Sequence, residues 1–368
     1  MARRCYRRPH LLTSVSASRD TRSMDFELSE DQLALRAAAR ELLDDLAGPG
    51  RVRAVVDAGG SRDDELWKAM AGQGWMGVEV PEEQGGLGLG MVEAAVLLEE
   101  VGRHAAPAPF LSSYLALGGL ARAAAGGVDG AVPWLEPLMS GQAVGTVAWD
   151  VHAPVLYGPL ADVVLAVAGA QVVGAVLEAP ARPRPEPAMD RTRQLGWIDL
   201  GGAPTFRLGG EEAVTALVDR GATAHCAEML GGAERVLDMT VSYAKDRVQF
   251  GRPIGSFQAV KHRCADMLVD VEGMRSAVYY AAWCIAAGHP DASVAASTAK
   301  VWCSDAARRV MASGLQVHGG IGFTWEHDLH LYLKRAQLDE VSFGNAAFHR
   351  ERLAGLLRAR VDAGESVV

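Results

Sequence analysis

Apolar residues recur at helical spacing along the first part of the chain. Ser29 and Gln32 form a capping box, which starts a helix whose leucines return on one side until Gly48 stops the run. A second long helical pattern runs from Met91 to Arg103. These patterns predict an N-terminal helical domain over residues 24–126.

A strand-like stretch interrupts the helical pattern after about Gly127. Residues 163–177 are apolar, but Gly169-Ala-Gln171 divides them. A membrane span needs about 20 apolar residues, so this shorter, divided run predicts a hairpin. The proline-rich patch 180–187 is predicted to be an edge loop. We therefore expect a small middle β-domain over residues 127–224.

The C-terminal part of the chain returns to long helical patterns. They cover 227–246, 258–288 and 292–318, and a fourth begins after Glu326. Gly231 and Gly232 fall inside the first pattern, where each costs about 1 kcal/mol against alanine and therefore indicates tight packing. We expect a four-helix bundle over residues 225–368, and an α+β fold overall.

Composition narrows the class of protein. The chain has 368 residues, of which 49% are hydrophobic and 22% charged, so it can bury a substantial core in two or three domains. Its formal charge of -9 argues against nucleic acid as the main partner. The five cysteines form no C-x-x-C pair, which argues against a zinc site or a disulfide framework and favours a reducing cytoplasm.

Residues 1–23 differ from the rest of the chain. They carry six arginines against one acidic residue, Asp20. A mitochondrial presequence has this composition, and the segment lacks the continuous apolar stretch of a secretory signal. The other explanation is an upstream start codon chosen in error, with Met24 as the true beginning. We predict that residues 1–23 are a non-native or disordered extension.

Two further patterns raise the question of a ligand site. Residues 74–90 are rich in glycine, but no βαβ pattern surrounds them and the third glycine of a dinucleotide loop would fall on Glu93, so a turn is predicted. Glu326, His327 and His330 lie together. Two histidines alone rarely make a metal site. We predict a solvated or capping role for them and expect no metal.

The most informative motif is Tyr-Ala-Lys-Asp-Arg-Val-Gln-Phe-Gly-Arg-Pro-Ile-Gly-Ser-Phe-Gln at 243–258, followed by Gln-Val-His-Gly-Gly at 316–320. Arg247 is a fixed positive charge beside a turn that must end a helix, because Pro253 cannot donate a backbone hydrogen bond and Gly251 permits close backbone approach. Such a charged helix end suits a phosphate. Together the two motifs resemble the C-terminal signatures of the acyl-CoA dehydrogenase family.

The resemblance implies a cofactor, a substrate and partners. It implies FAD, an acyl-CoA thioester, a tetramer formed with itself or with a second subunit of the family, and an electron-transferring flavoprotein. It also implies that six residues contact the pyrophosphate and adenine side of an FAD held by the neighbouring subunit: Arg247, Phe250, Gln258, Gln316, Gly319 and Gly320. His318 is expected to pack at the edge of this cofactor.

The same resemblance predicts that the usual catalytic base is missing. Dehydrogenases of the family remove an α-proton with a glutamate while the β-hydrogen leaves as hydride to the flavin. Here that position falls on Phe343, and a one-residue shift would bring Glu340 toward the site. The family's other location falls near Gly221, where the nearest carboxylates are Asp219 and Glu228. Glu228 is predicted to be a helix-surface or capping charge.

The motifs that hold a subunit's own flavin are not recognisable in this chain. Where family members show Thr-Glu and Gly-Ser-Asp, this sequence has residues 146–150 and 158–162. The combination resembles the non-catalytic half of heteromeric, actinobacterial-type acyl-CoA dehydrogenases that oxidise bulky thioesters such as steroid side-chain CoA esters. Two alternatives stay open. One is a self-sufficient homotetramer with Glu340 or another acid as base, and the other is a flavin-free structural or regulatory paralogue.

Overall fold

Helices dominate the first part of the fold. The computed structural model describes residues 26–60 and 62–364, so the predicted extension over 1–23 lies outside the described residues. The helices before the first strand are α1 (Glu30–Leu46), α2 (Pro49–Asp57), α3 (Asp64–Gly72), α4 (Met91–Arg103), α5 (Phe110–Ala125) and α6 (Leu135–Met139). The predicted capping box of α1 is confirmed, because Ser29 and Gln32 each accept a hydrogen bond from the other's backbone N–H.

A four-stranded sheet follows these helices. Its strands stand in the order β1 (Gly145–Ala148), β3 (Val163–Ala168), β4 (Gln171–Val176) and β6 (Thr205–Gly209). Strands β1 and β3 are parallel, and the other pairs are antiparallel. The predicted hairpin is confirmed as β3 and β4, joined across Gly169 at a φ of 61°. Strands β2 (Val155–Leu156) and β5 (Leu195–Gly196) form a separate antiparallel pair.

The C-terminal bundle contains five long helices rather than the predicted four. They are α7 (Glu211–Asp246), α8 (Gln258–Ala286), α9 (Ala292–His318), α10 (Leu329–Val341) and α11 (Ala346–Asp362). The bundle and the α+β fold are confirmed, but α7 begins at Glu211, so the predicted boundary at 224 falls inside a helix. The valine and threonine residues near its start favour strands locally, and packing of α7 against α4, α8 and α9 overrides that preference.

The crossing of α4 and α7 is close enough to require glycine. A Cβ atom on Gly231 would lie 1.7 Å from the carbonyl oxygen of Glu99, and one on Gly102 would lie 2.0 Å from that of Glu228. The prediction of tight packing is therefore confirmed at Gly231, whereas a Cβ on Gly232 would meet nothing nearer than 3.7 Å. This crossing joins the N-terminal helices to the bundle.

One hydrophobic core runs from the N-terminal helices through one face of the sheet into the bundle. Trp67 and Phe110 are among its largest fully buried side chains. A smaller cluster around Val164 lies against the other face of the sheet. No helix in the described part of the chain combines the length and the apolar character that a membrane crossing needs.

Candidate functional site

The two sequence motifs lie at neighbouring ends of long helices. Arg247 caps the C-terminus of α7, and a short hairpin of β7 (Val248–Gln249) and β8 (Arg252–Pro253) follows it. Tyr243, one turn before Arg247, stacks on His318 at the end of α9, with ring centroids 4.6 Å apart. This contact holds the second motif beside the first.

The predicted cofactor-contacting side chains of both motifs face solvent. Phe250 is 92% exposed at the turn of the hairpin, with a φ of 52°. A Cβ atom on Gly319 or Gly320 would meet no atom within 4 Å. The polar members of the set are exposed, and within the described residues their side chains have no hydrogen-bond or ion-pair partner: Arg247, Gln258 and Gln316. The structure thus brings the predicted cofactor residues onto one open surface.

The chemistry of this surface suits a ligand that carries phosphate groups. The guanidinium of Arg247 can make charge-assisted hydrogen bonds to a pyrophosphate, and the amides of Gln258 and Gln316 can donate and accept without internal competitors. Phe250 and Phe323, which is 75% exposed, add apolar area to the same region. Exposed rings grouped with unpaired polar side chains are typical of a surface that another molecule covers.

The two predicted locations of the catalytic base converge on one buried point. Phe343 is only 4% exposed, and a Cβ atom on Gly221 would lie 2.1 Å from its ring. Trp149 stacks on Phe343 with centroids 6.0 Å apart, and Phe348 meets Trp149 edge to face at 5.6 Å. We call Trp149, Phe343 and Phe348 the aromatic plug. Neither predicted location carries a carboxylate.

Glu340 lies on a different side of α10 from this point. Its carboxylate is 3.7 Å from the guanidinium of Arg308 on α9, and its side chain is 20% exposed. Its backbone carbonyl accepts a hydrogen bond from the buried Lys300. These contacts place the Glu340 carboxylate at the surface between α9 and α10.

Glu228 is not a surface or capping charge, as the sequence suggested, but part of a buried ion cluster. It is 2% exposed, and its Oε1 atom lies 2.6 Å from Arg193 and 3.1 Å from Arg335. Arg193 also lies 2.8 Å from Asp339, which is 2.9 Å from His225 Nδ1. The cluster comprises Asp190, Arg193, His225, Glu228, Arg335 and Asp339, and it binds the loop before β5 to α7 and α10.

The buried ammonium of Lys300 lies beside the buried ion cluster, where it donates hydrogen bonds to the backbone carbonyls of Asp339 and Glu340. Three carboxylates face two guanidinium groups, and burial raises the pKa of the Glu228 carboxyl to about 7, although Arg193 opposes that shift. Burial acts in the same direction on Asp339, but Arg193 and His225 outweigh it and lower the pKa of Asp339. Of these two carboxyl groups, Glu228 is therefore the one that is protonated first as pH falls.

The same cluster contains a group with metal-ligand spacing. One ligand atom from each of His225, Glu228 and Asp339 lies within 4.8 Å of the others. The two arginines already compensate two of the three carboxylates, so a divalent ion would leave an excess positive charge in a buried site, which is costly. A proton fits this cluster better than a metal ion.

Helical spacing was the signal that could have located the buried ion cluster. His225 and Glu228 are three residues apart on α7, and Arg335 and Asp339 are four apart on α10, so each pair shares a helix face. Asp190 and Arg193 stand in a polar stretch just after the proline-rich patch 180–187. Nothing in the sequence alone indicated that these three segments meet.

The solvated or capping role predicted for Glu326, His327 and His330 is confirmed in part. His327 Nδ1 accepts a hydrogen bond from the backbone N–H of Leu329 at the start of α10, so capping is confirmed there. His330 is buried rather than solvated, because its ring stacks on Trp325 at 4.5 Å. Glu326 is exposed.

Comparisons with known proteins agree with this geometry. The family model "Acyl-CoA dehydrogenase, C-terminal domain" matches residues 209–357, and "Acyl-CoA dehydrogenase, N-terminal domain" matches residues 29–142. Among curated relatives, acyl-CoA dehydrogenase IpdE2 of Mycolicibacterium smegmatis is 38% identical over 84% of this chain and 93% of its own length. Acyl-CoA dehydrogenase FadE27 of Mycobacterium tuberculosis is 31% identical over 90% of this chain and 98% of its own.

Solved structures show the same fold. The Tcur3481-Tcur3483 steroid ACAD G363A variant superposes with a TM-score of 0.83 at 29% identity, covering 90% of this chain and 99% of that one. The ChsE4-ChsE5 complex from Mycobacterium tuberculosis superposes with a TM-score of 0.81 at 30% identity, covering 91% and 99%.

Proposed function

The chain belongs to the acyl-CoA dehydrogenase family, and on that premise we propose that it is the subunit of a heteromeric enzyme that supplies outer FAD contacts and no catalytic base. The family's reaction is the α,β-dehydrogenation of an acyl-CoA thioester, and its cofactor is FAD. In this proposal a second subunit of the same family holds the flavin and carries the working carboxylate.

The aromatic plug is the observation that carries the proposal. A general base must stand within hydrogen-bond reach of the proton it removes. Both places where the family keeps such a base meet in this chain, and they are occupied by the Phe343 ring and by Gly221, which has no side chain. Trp149 covers the ring from the sheet side. Neither place therefore offers a carboxylate as the proton acceptor. The His225 imidazole lies beside them, with its ring centroid 5.6 Å from that of Phe343, and its Nδ1 atom is hydrogen-bonded to Asp339.

The open surface supports the other half of the proposal. When bound, FAD accepts the β-hydrogen as a hydride. Arg247, Gln258 and Gln316 would orient the pyrophosphate and adenine of that cofactor from outside, while Phe250 and Phe323 would exclude water at the contact between subunits. His318 is buried behind Tyr243 and holds the two motifs at a fixed distance.

Similarity to named relatives supports a substrate class. One similar structure is described as a steroid ACAD and another as a two-protein complex. We extend both features to this chain and propose a bulky, steroid-derived acyl-CoA as the substrate, with an electron-transferring flavoprotein as the acceptor. The free cysteines of the described chain, Cys226, Cys264, Cys284 and Cys303, are consistent with a cytoplasmic location.

The experiment is a reconstitution of activity. The chain is purified alone and after co-expression with a partner that has Thr-Glu, Gly-Ser-Asp and Glu-Gly-Thr motifs, and both samples are assayed with steroid-derived and short-chain acyl-CoA and an artificial electron acceptor. We expect dehydrogenation by the complex alone, and a preference for the steroid thioester. Comparable activity of the chain alone would favour the homotetramer.

A further inference from the structure

A recess separate from the open surface lies where α5, the sheet and the start of α7 meet. It holds about 300 Å³ and is partly open to solvent. Its walls are leucine and valine side chains of the strands, and small residues of the two helices. The lining residues include Arg122, Ala123, Leu165, Leu208, Ala213 and Ala216.

Small residues on the helices leave the recess open. Ala123 on α5 faces Ala213 and Ala216 on α7, and leucine at any of these positions would project into the space. The sheet supplies Leu165 and Leu208, which are buried. A volume of about 300 Å³ corresponds to roughly ten water volumes of ~30 Å³ each. The recess can therefore take an apolar body of about eight to ten carbons.

One end of the recess carries an unmatched cation. Within the described residues, the guanidinium of Arg122 has no hydrogen-bond or ion-pair partner. The carboxylate of Glu79 is ion-paired with Arg220 at 2.5 Å, so it does not pair with Arg122. Glu212 also lines the recess, and because Arg122 and Glu212 are both exposed, solvent screens both charges.

We propose that this recess binds an aliphatic or alicyclic carboxylate of about eight to ten carbons, with its carboxylate on Arg122 and its carbon skeleton between α5, the sheet and α7. The apolar walls suit the carbon skeleton of the ligand, and the unpaired guanidinium of Arg122 suits its carboxylate. The recess shares no residue with the aromatic plug or with the open surface. Binding here is independent of the proposed function.

The test is calorimetric titration of the co-expressed complex with octanoate and decanoate, and of the chain alone with the same ligands. Saturable binding of one ligand per chain is expected, and two added methylenes should tighten it about 15-fold if both are buried. Arg122→Gln should weaken decanoate binding roughly 10- to 150-fold. Ala216→Leu should abolish it by filling the recess.

Matched control variants distinguish binding in the recess from unspecific effects of the substitutions on the protein. Arg122→Lys keeps the charge, and Ala312→Leu adds the same volume at an exposed position of α9, so both should retain binding. Ala213→Leu repeats the filling test in case Ala216→Leu unfolds. Absence of saturable binding would overturn the proposal, and so would binding of decan-1-ol as tight as that of decanoate. Decanoate binding that Arg122→Gln and Ala216→Leu leave unchanged, or that acyl-CoA displaces, would overturn it as well.

Discussion

The two regions on which the proposed function rests differ in exposure and in packing. Around Arg247 and Gln316 the surface is polar, open and without internal partners in the described chain. Where the base would stand, Phe343 fills the space against Gly221 and is covered by Trp149. The first arrangement contributes nothing to the stability of this chain alone, whereas the second is part of its core.

Because of this difference, substitutions on the open surface should affect binding, and substitutions around Phe343 should affect folding. Unpaired exposed groups are free to change without loss of stability, so their effect should appear in the affinity for a ligand or partner. Buried groups around the aromatic plug and the buried ion cluster should affect unfolding first. Substitutions in the two regions should therefore divide into two classes.

Among substitutions in the interior, Arg193→Ala should lower the free energy of unfolding most. It leaves Glu228 and Asp339 without their shared guanidinium inside the protein, and breaking a buried ion pair costs about 3–5 kcal/mol. Urea unfolding of the purified chain measures the change. The control is Arg309→Ala, whose side chain is 49% exposed in its ion pair with Asp270 and whose loss should cost about 0–1 kcal/mol. Equal losses in the two variants would mean that the buried ion cluster does not hold the fold.

On the open side, Arg247→Ala should weaken FAD binding to the complex without unfolding it. Charge-assisted hydrogen bonds to a pyrophosphate contribute about 1.5–3 kcal/mol, or roughly 10- to 150-fold in affinity. Flavin fluorescence on dilution reports the dissociation constant. Arg358→Ala removes another exposed arginine and should change nothing. An unchanged flavin affinity in Arg247→Ala would show that the site lies elsewhere.

A smaller interior effect is expected for Gly221→Ala. The new Cβ would lie 2.1 Å from the Phe343 ring, so the ring or α7 must shift at a net cost of about 1–2 kcal/mol. In a Phe343→Leu background the cost should largely vanish, which a double-mutant cycle measures. Gly118→Ala is the control, because no atom lies within 4 Å of its Cβ position and alanine should stabilise α5 by about 0.5–1 kcal/mol. If Gly221→Ala and Gly118→Ala both stabilise the chain, the close contact between Gly221 and Phe343 is contradicted.

The raised pKa of Glu228 predicts that the free energy of unfolding depends on pH. Its pKa is raised to about 7 in the folded chain, above its value of 4.5 in the unfolded chain, so the folded state binds more protons between these values. Stability from this group is present below pH 4.5 and is lost as pH rises toward 7, by up to about 1.4 kcal/mol per pH unit.

Glu228→Gln removes this titration and should gain stability relative to the original chain as pH rises from 5 to 7. The opposing titration of His225, whose pKa burial lowers, is present in both proteins and cancels in the difference. Unfolding curves at several pH values give the result. A difference that stays constant with pH would show that Glu228 is ionised throughout.

The smallest effect is expected for Glu340→Gln. Loss of a true general base costs about 10²–10⁴ in rate, but the Glu340 carboxylate lies beside Arg308 at the surface. Dehydrogenation by the complex should stay within a few-fold of the original. If activity disappears while FAD content and assembly are intact, this subunit is catalytic and Glu340 is its base.

Local signals predicted the elements better than the site. The bounds of α4 and α9 and the hairpin of β3 and β4 follow from periodicity and turn residues, which act over a few positions. The start of α7 was missed because its valines and threonines have strand propensity until long-range packing is known. The burial of Glu228 and the meeting of Gly221 with Phe343 depend on how distant segments cross, which no local pattern contains.

The central claim is that this chain serves a flavin held by another subunit and holds none itself. The ratio of FAD to polypeptide in the co-expressed complex, from flavin absorbance and native mass spectrometry, tests it most directly. The account predicts about one FAD for each pair of unlike chains, and little flavin in this chain purified alone. A yellow homotetramer with four flavins would contradict it.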